Sequence, residues 1–559
     1  MKQLGYVPSM TNMETVNPRV GVIAGGKGEL SGGTEAVRGD ASVPPLKHGY
    51  TVHGFLRYLR ESPWDLLLGS FFVLLGYELK MFGNSFSIDT EGMMQVQESL
   101  YRSWITLDRF GLLLLKKVLG LYWYNNAVAS FLTAVFLLLS ALLWAYLFSN
   151  VFTLKRKFHP IFFVGPFVAS PVLAEMLGFS LSGPEIGIAL SLVAVSLMLL
   201  LGGFAYMQWW KGALSIIAAA MAFSLYLAMV TVFVAGFAMT FLLLFWNNRG
   251  HRLISRIMLI GSGAGVFGIA YLLYKLLNAY ALKVYNLTTD PYITEQSRWG
   301  KDSVRAIVKT IWLHAVALYS GEGIYYSGVF PWLLVVFMLI MLVALVRRHI
   351  DVLTFLVAIC LCASPMMMSV ILGAVPSVRT EMAYSLMLAF VVAFLAAQIC
   401  DVCSIRGRDV LVKEVAMVLV FALSWSQALI VNRIFYTESI NHQQDMELAQ
   451  AITTRINDLD IANQSEKTLV FLNWHKSHCN KDCYTSDQLG LVGRSLFEVT
   501  VSPSQGTYVK TNFMNIVGNN FRQADAAQLK QAEKIGTTMP HWPMKGSVTQ
   551  KGELIIVNF

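Results

Sequence analysis

The segment 84–124, which follows the first long apolar run, carries the residue types best suited to proton transfer. Asp89 and Glu91 stand two residues apart at its start, and Asp108 follows later in the same segment. A carboxylate at the edge of an apolar environment is partly desolvated, which suits it to accept a proton as a general base. Asp89 and Glu91 are therefore candidate bases, and Asp108 is a further carboxylate in the same segment.

The remainder of this segment predicts a short helix at a membrane surface. Leu112–Leu121 is apolar but too short to cross a bilayer, which takes about 20 residues. It carries Lys116 and Lys117, and basic residues of this kind hold amphipathic helices in the interface. An acidic turn followed by such a helix forms a groove at the lipid boundary, where two lipid-linked substrates can meet.

The composition indicates that most of the chain is embedded in lipid. Of the 559 residues, 55% are hydrophobic and 14% are charged, whereas soluble domains carry about 25% charged residues. The mean hydropathy is +0.54. A soluble enzyme is excluded on these grounds. The net charge of +9 therefore indicates basic cytoplasmic loops rather than binding of nucleic acid.

The apolar runs predict eleven transmembrane helices. The charge-free stretch 212–246 is too long for one span and short for two. If it crosses twice, the basic loop clusters all fall on the side of the basic N-terminal tail, as the positive-inside rule requires. The N-terminus is then cytoplasmic and the C-terminus lies outside. The other predicted spans lie near 64–83, 125–149, 160–178, 185–204, 253–273, 329–346, 352–372, 382–400 and 413–431.

This topology divides the chain into three parts. Residues 1–60 form a cytoplasmic tail that is predicted to be mostly disordered. Residues 61–431 form the membrane domain, with 84–124 and 274–328 as its outer loops. Residues 432–559 are expected to form a small α/β domain on the outer face.

The prediction of an α/β domain rests on local patterns. Apolar residues between Met446 and Leu459 recur at helical spacing, and Leu469–Trp474 and Leu554–Phe559 have the character of strands.

The cysteines of the outer domain predict a disulfide. Cys479 and Cys483 are close in sequence and lie in an oxidising compartment under this topology. With His475 and His478 they also offer four metal-type ligands, so that a metal site is the alternative. We expect no cofactor, the sequence leaves a divalent-metal requirement open, and Gly25–Lys27 lacks the spacing of a nucleotide-binding loop.

Several further polar residues are candidates for binding a substrate. Arg379 precedes the tenth predicted span, and a guanidinium suits phosphate oxygens; Glu381 is expected to hold it. Arg109 is the alternative phosphate ligand, with Arg298 behind it. Glu175 lies within the third predicted span, where a carboxylate is costly and therefore indicates function.

The order of these motifs resembles that of the bacterial glucosyltransferase-II family. These are serotype-converting O-antigen glucosyltransferases of the GT-C fold class. The resemblance lies in the acidic pair after the first span, the W-x3-[DG]-R-[FW] pattern at Trp104–Phe110, Pro171–Glu175, Pro376–Arg379, and the last span with its outer domain.

The sequence departs from the family pattern at two positions. It has Asp89-Thr90-Glu91 where two adjacent aspartates are expected, and it has Asp108 where a glycine usually precedes the arginine. These departures leave open which carboxylate is the base.

The resemblance implies an inverting glycosyl transfer on the periplasmic face of a bacterial inner membrane. The donor would be a polyprenyl-phosphate sugar, chiefly undecaprenyl-phosphate glucose. The acceptor would be a hydroxyl of a lipid-linked O-antigen or similar surface glycan. A first-loop carboxylate, for which we choose Asp89 with Glu91 and Asp108 as alternatives, would take the proton of that hydroxyl. The substrates would be bound by Trp104, Arg109, Glu175, Arg298, Arg379 and Glu381.

Other functions also fit a chain with many spans. A polysaccharide flippase or other secondary transporter predicts charge at mid-span and paired broken helices, whereas 125–149, 185–204 and 329–346 have no charge at their centres. An O-antigen polymerase shares the many-span plan but usually carries a large late loop with paired arginines. An enzyme like the protein O-mannosyltransferases would share the acidic loop, and the sequence leaves it open.

Overall fold

The computed structural model describes residues 50–151, 159–246, 253–291, 295–404, 409–478, 483, 493–499 and 502–559. Most of these residues are helical. The helices are α1 (Val52–Glu61), α2 (Pro63–Phe82), α3 (Thr90–Gln95), α4 (Gln97–Thr106), α5 (Phe110–Val118), α6 (Asn126–Val151), α7 (Ile161–Val168), α8 (Pro171–Leu177), α9 (Gly183–Tyr206), α10 (Trp209–Leu225), α11 (Met229–Phe245), α12 (Leu253–Val284), α13 (Val304–Ser320), α14 (Phe330–Val346), α15 (Val352–Ala363), α16 (Met367–Leu372), α17 (Met382–Ser404), α18 (Asp409–Asn457), α19 (Pro503–Ile516) and α20 (Ala526–Gly536).

The long apolar helices make this a membrane protein. Among the described residues, six helical segments are long and apolar enough to cross a bilayer: α6, α9, α12, Val352–Leu372, Met382–Asp401 and the apolar part of α18. Shorter apolar helices are α10, α11 and α14. A helix satisfies its own backbone hydrogen bonds, as a segment surrounded by lipid must do. The count of eleven crossings stays a prediction.

The charge-free stretch 212–246 forms two helices rather than one. Helix α10 ends at Leu225 and α11 begins at Met229. Between them Tyr226 takes an extended backbone conformation, and its side chain is buried. The break therefore places an aromatic side chain inside the protein at the end of α10.

The first outer loop folds into α3, α4 and α5, and α5 corresponds to the predicted short helix. The expectation that Lys116 holds this helix at the surface is wrong. Its side chain is 0% exposed, and its Nζ lies 2.9 Å from Oε1 of Glu185 in α9. The Lys116 amine also lies over the rings of Trp104 and Tyr124. This buried ion pair joins the loop to the helices beneath it.

The outer domain contains a three-stranded sheet. The strands are β1 (Thr468–Leu472), β2 (Val548–Lys551) and β3 (Leu554–Asn558). Their order is β1-β3-β2, with β1 parallel and β2 antiparallel to β3. Helices α19 and α20 pack on β1. The α/β pattern predicted from Leu469–Trp474 and Leu554–Phe559 is present at these positions.

Helix α18 connects the predicted last span to this domain without a break over 49 residues. Glu438 of α18 forms a buried ion pair with Lys80 of α2. Further along α18, Asp445 accepts hydrogen bonds from the Ser495 hydroxyl at 2.5 Å and the Leu496 amide at 2.7 Å. One helix thus contacts both a membrane helix and the outer domain.

Candidate functional site

A small cavity lies where the first outer loop meets the break between α10 and α11 and the turn before α17. Its volume is about 50 Å³. Residues from five separate parts of the chain border it: Asp89, Leu100, Trp104, Arg109, Leu112, Met176, Phe179, Leu181, Ser182, Tyr226 and Arg379. Four of the residues singled out in the sequence, Asp89, Trp104, Arg109 and Arg379, are therefore brought together here.

Asp89 stands at the boundary of this cavity, directly before α3. Its φ angle is 72°, a left-handed conformation that is uncommon for a residue with a side chain and is found preferentially at functional sites. Burial raises the pKa of the Asp89 carboxyl above its usual range, and the charges of Arg379 and Arg109 oppose this rise. The two guanidiniums thus favour the ionised carboxylate, which is the form that accepts a proton.

Glu91 has a different environment although it is only two residues away. Its side chain is 1% exposed, and Oε2 has no hydrogen-bond partner among the described residues. Burial, followed by the charge of Asp89, raises the pKa of Glu91 to about 8, against the opposing effect of backbone N–H groups at the start of α3. Glu91 therefore carries a proton at neutral pH. It is not among the residues that border the cavity.

The two arginines of the cavity are both supported by aromatic rings. The Arg109 guanidinium lies 4.8 Å from the centre of the Tyr226 ring. The Arg379 guanidinium lies 5.0 Å from the centre of the Phe179 ring. The backbone of Arg379 is part of a short 3₁₀ turn, Val378–Thr380. A planar guanidinium can lie flat against a ring, whereas lysine offers only a point charge there. The arrangement offers two cations to an anionic group entering the cavity.

Asp108 is engaged elsewhere. Its carboxylate bonds to Lys275 and Asn278 of α12, and its carbonyl accepts a hydrogen bond from the Tyr274 hydroxyl at 3.1 Å. Its φ angle is 62°, a conformation that favours glycine, which is the residue that the family resemblance leads one to expect here. The aspartate at this position fastens the first outer loop to α12.

Glu175 and Glu381 are buried near the cavity but outside its lining. The charge that acts most strongly on the Glu175 carboxylate is that of Arg494, with a smaller contribution from Arg379. Glu381 was expected to hold Arg379. Instead, its two oxygens bond to His314 Nε2 at 2.6 Å and to the Tyr325 hydroxyl.

The candidate in the second outer loop, Arg298, lies on the surface. The Arg298 side chain is exposed, and its Nε lies 4.0 Å from Asp302. The Arg298 amide donates to the Leu372 carbonyl at 2.8 Å, and the Trp299 indole donates to the Val370 carbonyl at 2.8 Å. These bonds fasten the loop to α16, and Arg298 is not among the residues that border the cavity.

Three contributors to the site escaped the sequence interpretation. Glu185 follows the same rule that singled out Glu175, since it is a carboxylate inside an apolar segment. Tyr226 stands at the break of the charge-free stretch, and the break itself was the available signal. Arg494 gave no local signal, because only the fold brings it towards Glu175.

The predicted disulfide is described only at one of its two positions. Cys483 is bonded in a disulfide, whereas Cys479 lies outside the described residues, so the pairing stays a prediction. Among the described residues, no group of three or more His, Cys, Asp or Glu side chains is arranged to hold a metal ion.

The cavity lies within a segment of the chain that matches a known protein family. Residues 80–396 match a family model described as glucosyl transferase GtrII. Neither the curated proteins nor the solved structures include a significant match to the chain. The matched segment covers more than half of the chain and contains every residue that borders the cavity, whereas the outer domain lies beyond it. By this match, the chain belongs to the glucosyl transferase GtrII family.

Proposed function

We propose that this glycosyltransferase moves glucose from a polyprenyl-phosphate donor, undecaprenyl-phosphate glucose, to a hydroxyl of a lipid-linked O-antigen or similar surface glycan. The observation that carries the proposal is the meeting of Asp89, Arg109 and Arg379 at one cavity. A potential base and two potential phosphate ligands are the groups that this transfer requires. Because neither substrate leaves the bilayer, a site at the end of the membrane helices suits both.

Asp89 is the carboxylate that we assign as the base. The oxygen of the acceptor hydroxyl attacks the anomeric carbon of glucose, and its proton passes to Asp89. The bond between the anomeric carbon and the phosphate oxygen breaks, the polyprenyl phosphate leaves, and the anomeric configuration is inverted. Glu91 carries its own proton at neutral pH and Asp108 is bonded to Lys275 and Asn278, which argues against both alternatives.

Arg109 and Arg379 are assigned to the phosphate of the donor. Negative charge grows on the leaving phosphate as the bond breaks, and cations fixed beforehand stabilise that charge in the transition state. The rings of Tyr226 and Phe179 hold the two guanidiniums in place before a donor arrives. Small-molecule sites have volumes of roughly 300–1,000 Å³, so the cavity of about 50 Å³ must widen to admit the donor.

The proposal includes an architecture and a location. We place the chain in the GT-C fold class with eleven crossings, in a bacterial inner membrane. Its parts are a cytoplasmic tail (1–60), a membrane domain (61–431) and a periplasmic domain (432–559), with Cys479 and Cys483 paired. No cofactor takes part. Glu175, Glu381 and Arg298 support the substrates or the loops around them.

The test is a transfer reaction with the purified chain in lipid, undecaprenyl-phosphate glucose and a lipid-linked glycan acceptor. The mass of the acceptor should rise by one hexose with the wild type. Asp89→Asn should abolish the increase, whereas Asp458→Asn, a change of an exposed carboxylate directly after α18, should leave it intact. Absence of transfer from every polyprenyl-phosphate sugar would overturn the proposed donor class.

A further inference from the structure

A second and much larger cavity lies in the outer domain, beyond the segment that matches the family. Its volume is about 560 Å³, within the roughly 300–1,000 Å³ of small-molecule sites. It opens where β1 and β3 end and where α19 begins, and α20 forms its far wall. The lining includes Asn473, Trp474, Thr507, Glu533 and His541.

The polar groups around this cavity are fixed by one another. Asn473 donates to the Asn558 side chain at 2.8 Å, and Asn558 donates to the Met539 carbonyl at 3.2 Å. The Thr507 hydroxyl donates to the Phe471 carbonyl at 2.7 Å. Side chains that are oriented before a ligand arrives bind it at a lower entropic cost.

An aromatic side chain stands beside these polar groups. Asn473 follows β1 with a φ angle of 62°, so the chain turns sharply there. Trp474, the next residue, is 50% exposed although it borders a cavity. An indole offers a broad apolar face for stacking. The C–H face of a pyranose ring packs on such a surface while its hydroxyls bond to amides and carboxylates.

The charges of the cavity favour a neutral ligand. Glu533 supplies a carboxylate and Lys510 an amine, so that the lining shows no excess of one sign. The Lys510 amine is buried and donates to the carbonyls of Asn473 at 3.3 Å and Val499 at 3.1 Å, and burial lowers its pKa to about 8. Lys510 therefore serves the fold and is poorly suited to hold a phosphate.

Helix α19 connects this cavity to the first outer loop. Gly506, Thr507 and Lys510 of α19 line the cavity. Tyr508 of the same helix meets α3, since a Cβ atom placed on Gly92 would lie 3.6 Å from the Tyr508 hydroxyl. A ligand in the cavity is thus one helix away from the loop that carries Asp89.

We propose that this cavity is a saccharide-binding site that holds part of the acceptor glycan. Its description as an acceptor site rests on the proposed function, whereas saccharide binding does not. The donor sugar is bound to the phosphate for which Arg109 and Arg379 are the ligands, so the outer cavity is left for the other substrate.

Binding is tested by saturation-transfer NMR on the full chain in lipid nanodiscs, with free glucose, galactose, rhamnose and N-acetylglucosamine as probes. At least one sugar should give signals with the wild type and with Met544→Ala, an exposed apolar change elsewhere in the same domain. Trp474→Ala should abolish the signals and Glu533→Gln should weaken them. Signals that persist in Trp474→Ala, or their absence for all four sugars with the wild type, overturn the proposal.

Kinetics separate the acceptor from the donor. Trp474→Ala should raise the KM for the acceptor about tenfold, a change of about 1.4 kcal/mol, with kcat and the KM for the donor unchanged. A rise in the donor KM instead would overturn the assignment to the acceptor. Asp89→Asn should bind the free sugars as the wild type does while transferring nothing. If the wild type binds sugars through Trp474 but transfers none, the proposed function is wrong and the saccharide-binding site stands.

Discussion

Asp89 and Arg379 border the same cavity although one precedes α3 and the other precedes α17. The Arg379 guanidinium is the charge that most strongly opposes the rise in the pKa of the Asp89 carboxyl caused by burial. A desolvated carboxylate whose ionised form is favoured by a neighbouring cation is a strong candidate for a base. The same cation borders the cavity in which we place the donor phosphate, so one residue can serve both halves of the proposed transfer.

Asp89→Asn and Glu91→Gln should have opposite outcomes at neutral pH. Asp89→Asn removes the proton acceptor and should lower kcat by about 10²–10⁴-fold, the usual worth of a general base. Glu91→Gln imitates the protonated side chain and should keep most of the activity. Initial rates of glucose transfer measure both. Equal losses in the two variants would mean that the carboxylates act as one unit.

The pKa of Glu91 also predicts a pH dependence of stability. The folded state binds the Glu91 proton up to a pH of about 8, whereas the unfolded chain releases it near the usual glutamate value. The contribution of Glu91 to the free energy of unfolding is therefore largest below the pKa that Glu91 has in the unfolded chain. This contribution falls as the pH rises to about 8.

Thermal unfolding in detergent tests this dependence. Glu91→Gln removes the titrating group, so its Tm should exceed that of the wild type at pH 8 and approach it at pH 5. If the Tm of the wild type exceeded that of Glu91→Gln at pH 8, this would contradict the buried, neutral state of Glu91.

Arg379→Lys should restore little of the activity that Arg379→Ala loses. Lysine keeps the charge but loses the fork that bonds to two phosphate oxygens and the flat face that stacks on Phe179. We expect the alanine variant to lose about 100-fold in kcat, as for other donors that stabilise developing negative charge. Steady-state transfer rates decide this, and full activity in the lysine variant would mean that Arg379 acts only through its charge.

Substitutions of Asp108 separate backbone conformation from catalysis. Asp108→Gly and Asp108→Ala both lose the bonds to Lys275 and Asn278, but only alanine keeps a Cβ in the left-handed conformation. Alanine should therefore be less stable than glycine by about 1–2 kcal/mol. Denaturant unfolding compares the two variants, and folded Asp108→Gly should retain transfer. Complete loss of transfer in that folded variant would make Asp108 part of the chemistry.

The buried pair of Lys80 and Glu438 should show strong coupling. Removing one partner leaves an uncompensated buried charge, which costs about 3–5 kcal/mol. Lys80→Met alone should therefore be more destabilising than Lys80→Met combined with Glu438→Met. A double-mutant cycle on unfolding in mixed micelles measures the difference. Additive losses would show that the two side chains do not depend on each other.

The sequence predicted the parts of this protein that depend on local pattern. The two strands of the outer domain, the short helix of the first outer loop and the division of 212–246 all follow from periodicity, length and charge. The partners of buried charged side chains did not follow. Lys116 fits a surface anchor by sequence, and only the position of α9 supplies Glu185. Glu381 lies two residues from Arg379, yet packing of α13 brings His314 to it.

The unbroken helix α18 has a mechanical consequence. At about 1.5 Å per residue, its 49 residues extend over roughly 70 Å, more than twice the ~30 Å hydrocarbon thickness of a bilayer. The apolar part of the helix is long enough to cross a bilayer, and the same helix contacts the sheet domain at β2. A thicker or thinner bilayer that changes the tilt of α18 would therefore displace the sheet domain. Helix α19 of that domain contacts α3, so the displacement would reach the loop that carries Asp89.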